Sequence, residues 1–150
     1  MGGGGGVMGA SLPQGKLPNT HYRVSAKAVI VRDDGLVLCV KEGGDNYWNL
    51  PGGGIDFGEN LQEALSRELH EEVGFSGDFS MKILGAETFF AEKRDTWKMN
   101  IIVKIVPDNF NFSLGRDADE VAFKSPQEFA DSSFPDERYI YEYGCEEAVK

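Results

Sequence analysis

At 150 residues, 41% apolar and 27% charged, the chain suits one domain with a real core rather than two independent ones. Its 15 basic and 25 acidic side chains leave a net charge of −10, which argues against bulk RNA or DNA as main partner, because no basic surface neutralises a polyanion. A small phosphorylated ligand stays compatible, since a metal ion can supply the missing positive charge.

No run approaches the roughly 18 apolar residues of a membrane span. Residues 1–20 carry five consecutive glycines, Gly2 to Gly6, and lack the basic start and apolar middle of a signal peptide. They are expected to be a flexible tail, with a folded domain over 21–150 and a cytoplasmic setting as the default. The two cysteines, Cys39 and Cys145, have neither metal spacing nor a disulfide framework, and Cys39 reads as a buried free thiol.

Tyr22 to Arg32, rich in Val, Ile and Ala, reads as a strand. Asp33-Asp34-Gly35 is a turn signal, and Leu36 to Lys41 reads as the returning strand of a hairpin. Leu50-Pro51-Gly52-Gly53-Gly54 is expected to be tight, irregular backbone outside regular structure. Asn60 to Val73 is the clearest helix: Leu61, Leu65, Leu69 and Val73 form one stripe, Asn60 is an N-cap and Gly74 a stop. Met81 to Glu92 and Trp97 to Val106 read as strands around the turn Lys93-Arg94-Asp95-Thr96, and Glu120 to Lys124 as a short strand. Pro126 to Ala130 and Pro135 to Tyr143 read as short helices with proline near their starts. Strands before and after a central helix imply an α/β (α+β) domain, a mixed sheet covered by helices.

The chemistry lies in the central helix. With Leu61 at zero and about 100° per residue, Glu68, Glu71 and Glu72 share one arc of roughly 100° beside the apolar stripe. Like charges at such spacings repel, and the neighbouring apolar surface worsens the desolvation. Arg67, four residues from both Glu63 and Glu71, offsets part of this and cannot neutralise three carboxylates. A magnesium site accounts for the cluster, because hard cations take carboxylates, waters and substrate phosphates; a solvated acidic face is the alternative. Gly52-Gly53-Gly54, shortly before the helix, brings backbone close enough to offer a carbonyl to a metal or amides to a phosphate. The segment matches neither the P-loop nor the dinucleotide fingerprint.

These residues resemble a known signature. Gly53, then Glu59, then Arg67-Glu68-Leu69-His70-Glu71-Glu72-Val73-Gly74-Phe75 is similar at every fixed position to the Nudix box, and Trp48-Asn49-Leu50-Pro51-Gly52 looks like its usual lead-in. The resemblance implies a Nudix (MutT-type) fold, an α/β/α sandwich with a mixed β-sheet and a loop-helix-loop catalytic motif. It implies Glu71 and Glu72 as metal ligands with the carbonyl of Gly52, and Glu68 as further ligand or base. Arg67 would orient a glutamate, Glu59 would support the loop and Gly74 would end the helix. Glu120, in a later acidic loop, is the candidate for an additional metal ligand.

The implied activity is a magnesium-dependent (or manganese-dependent) pyrophosphohydrolase. It would cleave a nucleoside triphosphate or nucleotide sugar to a nucleoside monophosphate plus pyrophosphate or a phosphorylated remainder. Arg23 and Lys41 are candidates for phosphate contacts, Phe90 and Trp97 for stacking on a base, and Gly53 for the substrate-facing loop. The proline that marks many ADP-ribose hydrolases is absent from the region Phe89-Phe90-Ala91. Two alternatives stand beside the hydrolase: a catalytically inactive nucleotide-binding module, and an isoprenoid diphosphate isomerase on the same fold. A homodimer is possible, with Tyr139, Tyr141 and Tyr143 available for a subunit contact or for packing on the domain itself.

Overall fold

In the computed structural model, the described residues are 21–148. The expected tail over residues 1–20 lies outside them.

Four strands, β1 (Tyr22–Val29), β3 (Gly52–Gly54), β4 (Phe79–Ala91) and β5 (Thr96–Pro107), form a mixed sheet in the order β3-β1-β5-β4. β1 runs parallel to β5, while β3 on β1 and β4 on β5 are antiparallel. β2 (Val37–Lys41) and β6 (Glu120–Lys124) pair as a separate antiparallel ribbon.

Alternation along the strands divides the interior into two cores. Ala26, Ala28, Ile30, Leu38, Val40, Val103 and Ile105 point to the central helix α1 (Leu61–Val73) and meet its Leu65, Leu69 and Val73. Val29, Val37, Cys39 and Ile102 point the opposite way and meet Ile140 of α2 (Pro135–Ala148). The result is the expected α/β/α layering. Tyr139, Tyr141 and Tyr143 pack against this second core of their own domain.

α1 follows the local rules closely. Asn60 Oδ1 accepts from the Glu63 N–H at 2.8 Å, and Glu63 Oε1 accepts from the Asn60 N–H at 2.9 Å, a reciprocal capping box. Gly74, at φ 63°, closes the helix in the left-handed conformation that glycine adopts without penalty.

Three expectations are corrected. β1 and β2 do not form an extended hairpin: beyond the Val31–Val37 bridge at the turn they separate, β1 to β3 and β5, β2 to β6. The four consecutive buried residues Val37 to Val40 show why, since a strand covered on both faces is placed by distant partners rather than by its turn. Gly52–Gly54 pairs with β1 as a short strand, a partner that composition alone does not reveal, while Gly52 keeps the irregular backbone expected there, at φ 139°. α2 runs on to Ala148, past Tyr143, through a glycine whose hydrogen lets the helix pass Val37 and Pro126 closely.

Candidate active site

Two short-range devices place the box. β3 sits on the edge of the sheet, and the last turn of α1 lies directly beside it. The Gly52 N–H donates to Glu72 Oε1 at 2.7 Å, tying strand to helix. Gly53 faces the carboxylate of Glu68 so closely that any Cβ would collide with it. Gly52 itself has φ 139°, and a Cβ there would strike the Ala26 carbonyl of β1.

Arg67 organises the loop. Its Nε and Nη2 donate to the two oxygens of Glu59 at 2.7 and 2.8 Å, a bidentate fork, and Nη2 also donates to the Gly54 carbonyl at 2.9 Å. Its Nη1 reaches Glu68 Oε1 at 2.9 Å and Glu71 Oε1 at 3.5 Å. Glu63 is not a partner, contrary to its helical spacing, because the capping box occupies its carboxylate. The fork holds Glu59 down at about 2, Arg67's hydrogen bonds being the largest cause. Arg67 is raised in turn, chiefly by Glu59.

The glutamates diverge. Glu68 and Glu71 turn to Arg67, whereas Glu72, at 2% exposure, turns inward to Gly52 and to the carboxylate of Glu42. Among the described residues, no three acidic, histidine or cysteine side chains close into a ready-made metal cage. Burial raises Glu68 above the ordinary carboxylate range despite Arg67. Burial first, and Glu42 second, push Glu72 far up. Two carboxylates pressed together out of water need a cation or a shared proton between them. The oxygens present, from Glu42, Glu68, Glu71, Glu72 and the Gly52 carbonyl, are the hard donors that a magnesium or manganese ion takes.

Neither Glu42 nor Lys27 emerged from the sequence. Lys27, on β1 and 8% exposed, donates from Nζ to the Gly52 carbonyl at 3.5 Å and bears electrostatically on Glu68 and Glu72. The same charge reaches Lys98 of β5 and Asp136 in the first turn of α2. Burial lowers Lys98 and raises Asp136, each away from its charged form. No local pattern marks these residues; the sheet assembles them from three elements. A charged residue amid the apolar run of β1 is the one signal that could have pointed to Lys27.

The remaining candidates fall in different places. Arg23 donates to the Ile55 carbonyl at 2.7 Å and lies 3.7 Å from Asp56, bracing the loop between β3 and α1. Lys41 pairs with Glu120 at 3.6 Å, and its ammonium sits 4.9 Å over the Trp48 ring. Glu120 is thus the cross-strand partner of Lys41, with its side chain 59% exposed. The loop before it does touch the box: the Asp117 N–H donates to the Glu71 carbonyl at 3.0 Å, and Arg116 lies 3.8 Å from Glu71.

Phe90 and Trp97 meet edge to face at 5.7 Å, with Tyr22 5.9 Å from Trp97. Strand alternation puts Trp97 on the sheet face opposite to Lys98. On the Lys98 side the aromatic is Phe89, its register partner. His70 is exposed.

Comparison with known proteins agrees with this geometry. The NUDIX domain model matches residues 21–143. An RNA pyrophosphohydrolase of Acinetobacter baylyi is 47% identical over 53 residues, which is 35% of this chain and 32% of that protein. The chain therefore spans about a third of the curated relative it matches. A MutT protein from Methanosarcina mazei has the same fold, with a TM-score of 0.69 at 22% identity, over 87% of this chain and 98% of that one. A bifunctional NMN adenylyltransferase/ADP ribose pyrophosphatase from Francisella tularensis, solved with AMP and a manganese ion, aligns at a TM-score of 0.61 and 20% identity, over 87% of this chain and 43% of that one.

Proposed function

Because the chain belongs to the NUDIX domain family, we propose that it is a divalent-metal-dependent pyrophosphohydrolase acting on a small nucleotide. The substrate is a nucleoside triphosphate or a nucleotide sugar, and the products are a nucleoside monophosphate plus pyrophosphate or a phosphorylated remainder. The observation that carries the reading is the buried Glu72 carboxylate, set between Glu42 and the Gly52 N–H at the end of an intact box.

Magnesium or manganese, held by Glu71, Glu72 and the Gly52 carbonyl, would polarise phosphate oxygens and acidify water. The protein's part is proton transfer and positioning. Glu68 is the proton acceptor: desolvation makes it a stronger base than a free carboxylate, and Gly53 gives it room at the loop. Arg67 fixes its direction through Nη1 while Glu59 holds the other side of the fork. Lys27, beside the Gly52 carbonyl, offers positive charge to the substrate phosphates.

A second reading draws on the name of the curated relative, an RNA pyrophosphohydrolase: the substrate is then the triphosphorylated 5′ end of an RNA. The net charge of −10 favours the small nucleotide. The test is a panel of nucleoside triphosphates, nucleotide sugars and a 5′-triphosphorylated oligonucleotide with magnesium or manganese. Monophosphate release from the small substrates, lowered by orders of magnitude in Glu71→Gln and Glu72→Gln with the fold intact, supports the proposal. A folded wild type that turns over nothing on the panel leaves the inactive binding module in its place. Turnover confined to the oligonucleotide selects the second reading.

A further inference from the structure

Glu42, outside the box, is braced on several sides. It opens a tight turn in which Gly43 and Gly44 have φ 60° and 76°, and the Asp45 N–H donates to the Glu42 carbonyl at 3.0 Å. Asp119, just before β6, grips that turn at both ends. Its N–H donates to the Lys41 carbonyl at 2.7 Å, and its carboxylate accepts from the Gly44 N–H at 2.9 Å. The loop that ends at Asp119 also ties the last turn of α1. There the Gly115 N–H donates to the Glu72 carbonyl at 2.9 Å and the Asp117 N–H to the Glu71 carbonyl at 3.0 Å. One loop therefore places the turn of Glu42 and the backbone of two box glutamates relative to each other.

The brace holds like charges together. Glu72 is 2% exposed, and its carboxylate meets that of Glu42. Lys27 bears on Glu72, yet its ammonium goes to the Gly52 carbonyl at 3.5 Å. Carboxylates crowded out of water repel more than a surface pair does, so stability alone gives no reason to fix them face to face. A hard cation does, because it takes several oxygens at once and binds best where they are already in place.

We propose that Glu42 is a further ligand of the divalent cation, beside Glu71, Glu72 and the Gly52 carbonyl, and that Asp119 is its positioning residue. The inference rests on the metal-dependent reading above and adds to it a group from the loop between β2 and β3.

The experiment measures manganese binding to the full chain without nucleotide, by calorimetry and by the paramagnetic resonance signal of the free ion, together with thermal melts. Glu42→Gln keeps the size of the side chain and loses its charge. It is expected to weaken manganese binding by about ten-fold or more, as loss of a charged ligand does. Its metal-free melting temperature is expected to be equal to or above that of the wild type, because a carboxylate repulsion is gone. The rise in melting temperature on adding manganese is expected to shrink. A merely structural Glu42 would not move these two readouts in opposite directions. Asp119→Ala is expected to weaken manganese by a smaller factor. Asp119→Asn, which keeps an oxygen for the Gly44 N–H, is expected to restore it.

Unchanged manganese affinity in Glu42→Gln would overturn the proposal, and unchanged affinity in Asp119→Ala would overturn the positioning role. If Glu42→Gln does not fold, Glu42→Ala decides by the same measurement. A wild type that binds no manganese removes the metal-dependent reading itself. A wild type that binds it as tightly as Glu42→Gln removes only the role of Glu42.

Discussion

The backbone N–H of Gly52 donates to Glu72 across 20 residues of sequence at 2.7 Å, and with the Arg67 bond to the Gly54 carbonyl it joins the sheet edge to α1. The backbone of β3 and the acid of α1 are placed against each other by this contact. The Gly52 carbonyl, on the other side of the same residue, takes Lys27 at 3.5 Å. Metal-binding oxygen and phosphate-binding cation, as proposed above, are therefore adjacent by construction of the β1–β3 pair.

Gly52→Ala is expected to damage both stability and turnover. The residue has φ 139°, where side chains are strained, and its missing Cβ faces the Ala26 carbonyl rather than a flexible side chain. Backbone must move to accept it, at a cost on the order of 2 kcal/mol or more. Urea unfolding checks the first effect, and the rate with saturating magnesium checks the second. A variant with wild-type midpoint and rate would show that β3 is not held as tightly as its register with Lys27 implies.

Arg67→Lys tests whether charge or shape organises the loop. Lysine keeps the charge and loses the fork that engages both oxygens of Glu59 while spanning to Glu68 and the Gly54 carbonyl. The guanidinium is about a quarter exposed, so the expected loss is moderate, on the order of 1–3 kcal/mol, rather than that of a fully buried ion pair. Turnover is expected to fall further than stability, because Glu68 loses its direction. A kcat within a few-fold of wild type would mean that Glu68 is aimed by something other than Arg67.

The helix was legible in the sequence and the cleft was not. Asn60, Glu63, the Leu65–Leu69–Val73 stripe and Gly74 act within one turn of their own positions, so spacing alone describes them. Of the three glutamates that share the arc beside that stripe, Glu72 is the most buried. Lys27, Glu42, Lys98 and Asp136 come together through pairing between strands and through α2, which no periodicity encodes. One residue along a strand reverses the face, so Phe89 rather than Phe90 shares the side of Lys98.

Acid stability should report the Glu59–Arg67 fork. Glu59 drops from an ordinary 4.5 to about 2, chiefly through its hydrogen bonds from Arg67. A depressed carboxylate stabilises the fold fully above its unfolded value. That contribution shrinks as pH falls from 4.5 towards 2 and is gone below. Over this window Glu59→Gln is expected to lose stability less steeply than wild type, since its amide takes up no proton. Denaturant midpoints measured at intervals across the window give the comparison. Parallel curves for the two proteins would show that the fork does not perturb Glu59.

Thiol reactivity separates the two cysteines. Cys39 is fully buried between β2 and the second core, and burial pushes its thiol far up, so almost no thiolate is present near neutrality. Cys145, on α2, is partly exposed; burial raises it as well, yet its sulfur is close enough to the surface to meet the Gln127 amide at 3.3 Å. Ellman's reagent is therefore expected to titrate one thiol slowly in the native protein and two in urea. The Cys145→Ser variant should show none until it unfolds. Because Cys39 lies on the strand that ends at Lys41, just before Glu42, early reaction there would mean that β2 opens in the native state, and the placement of Glu42 against Glu72 would open with it.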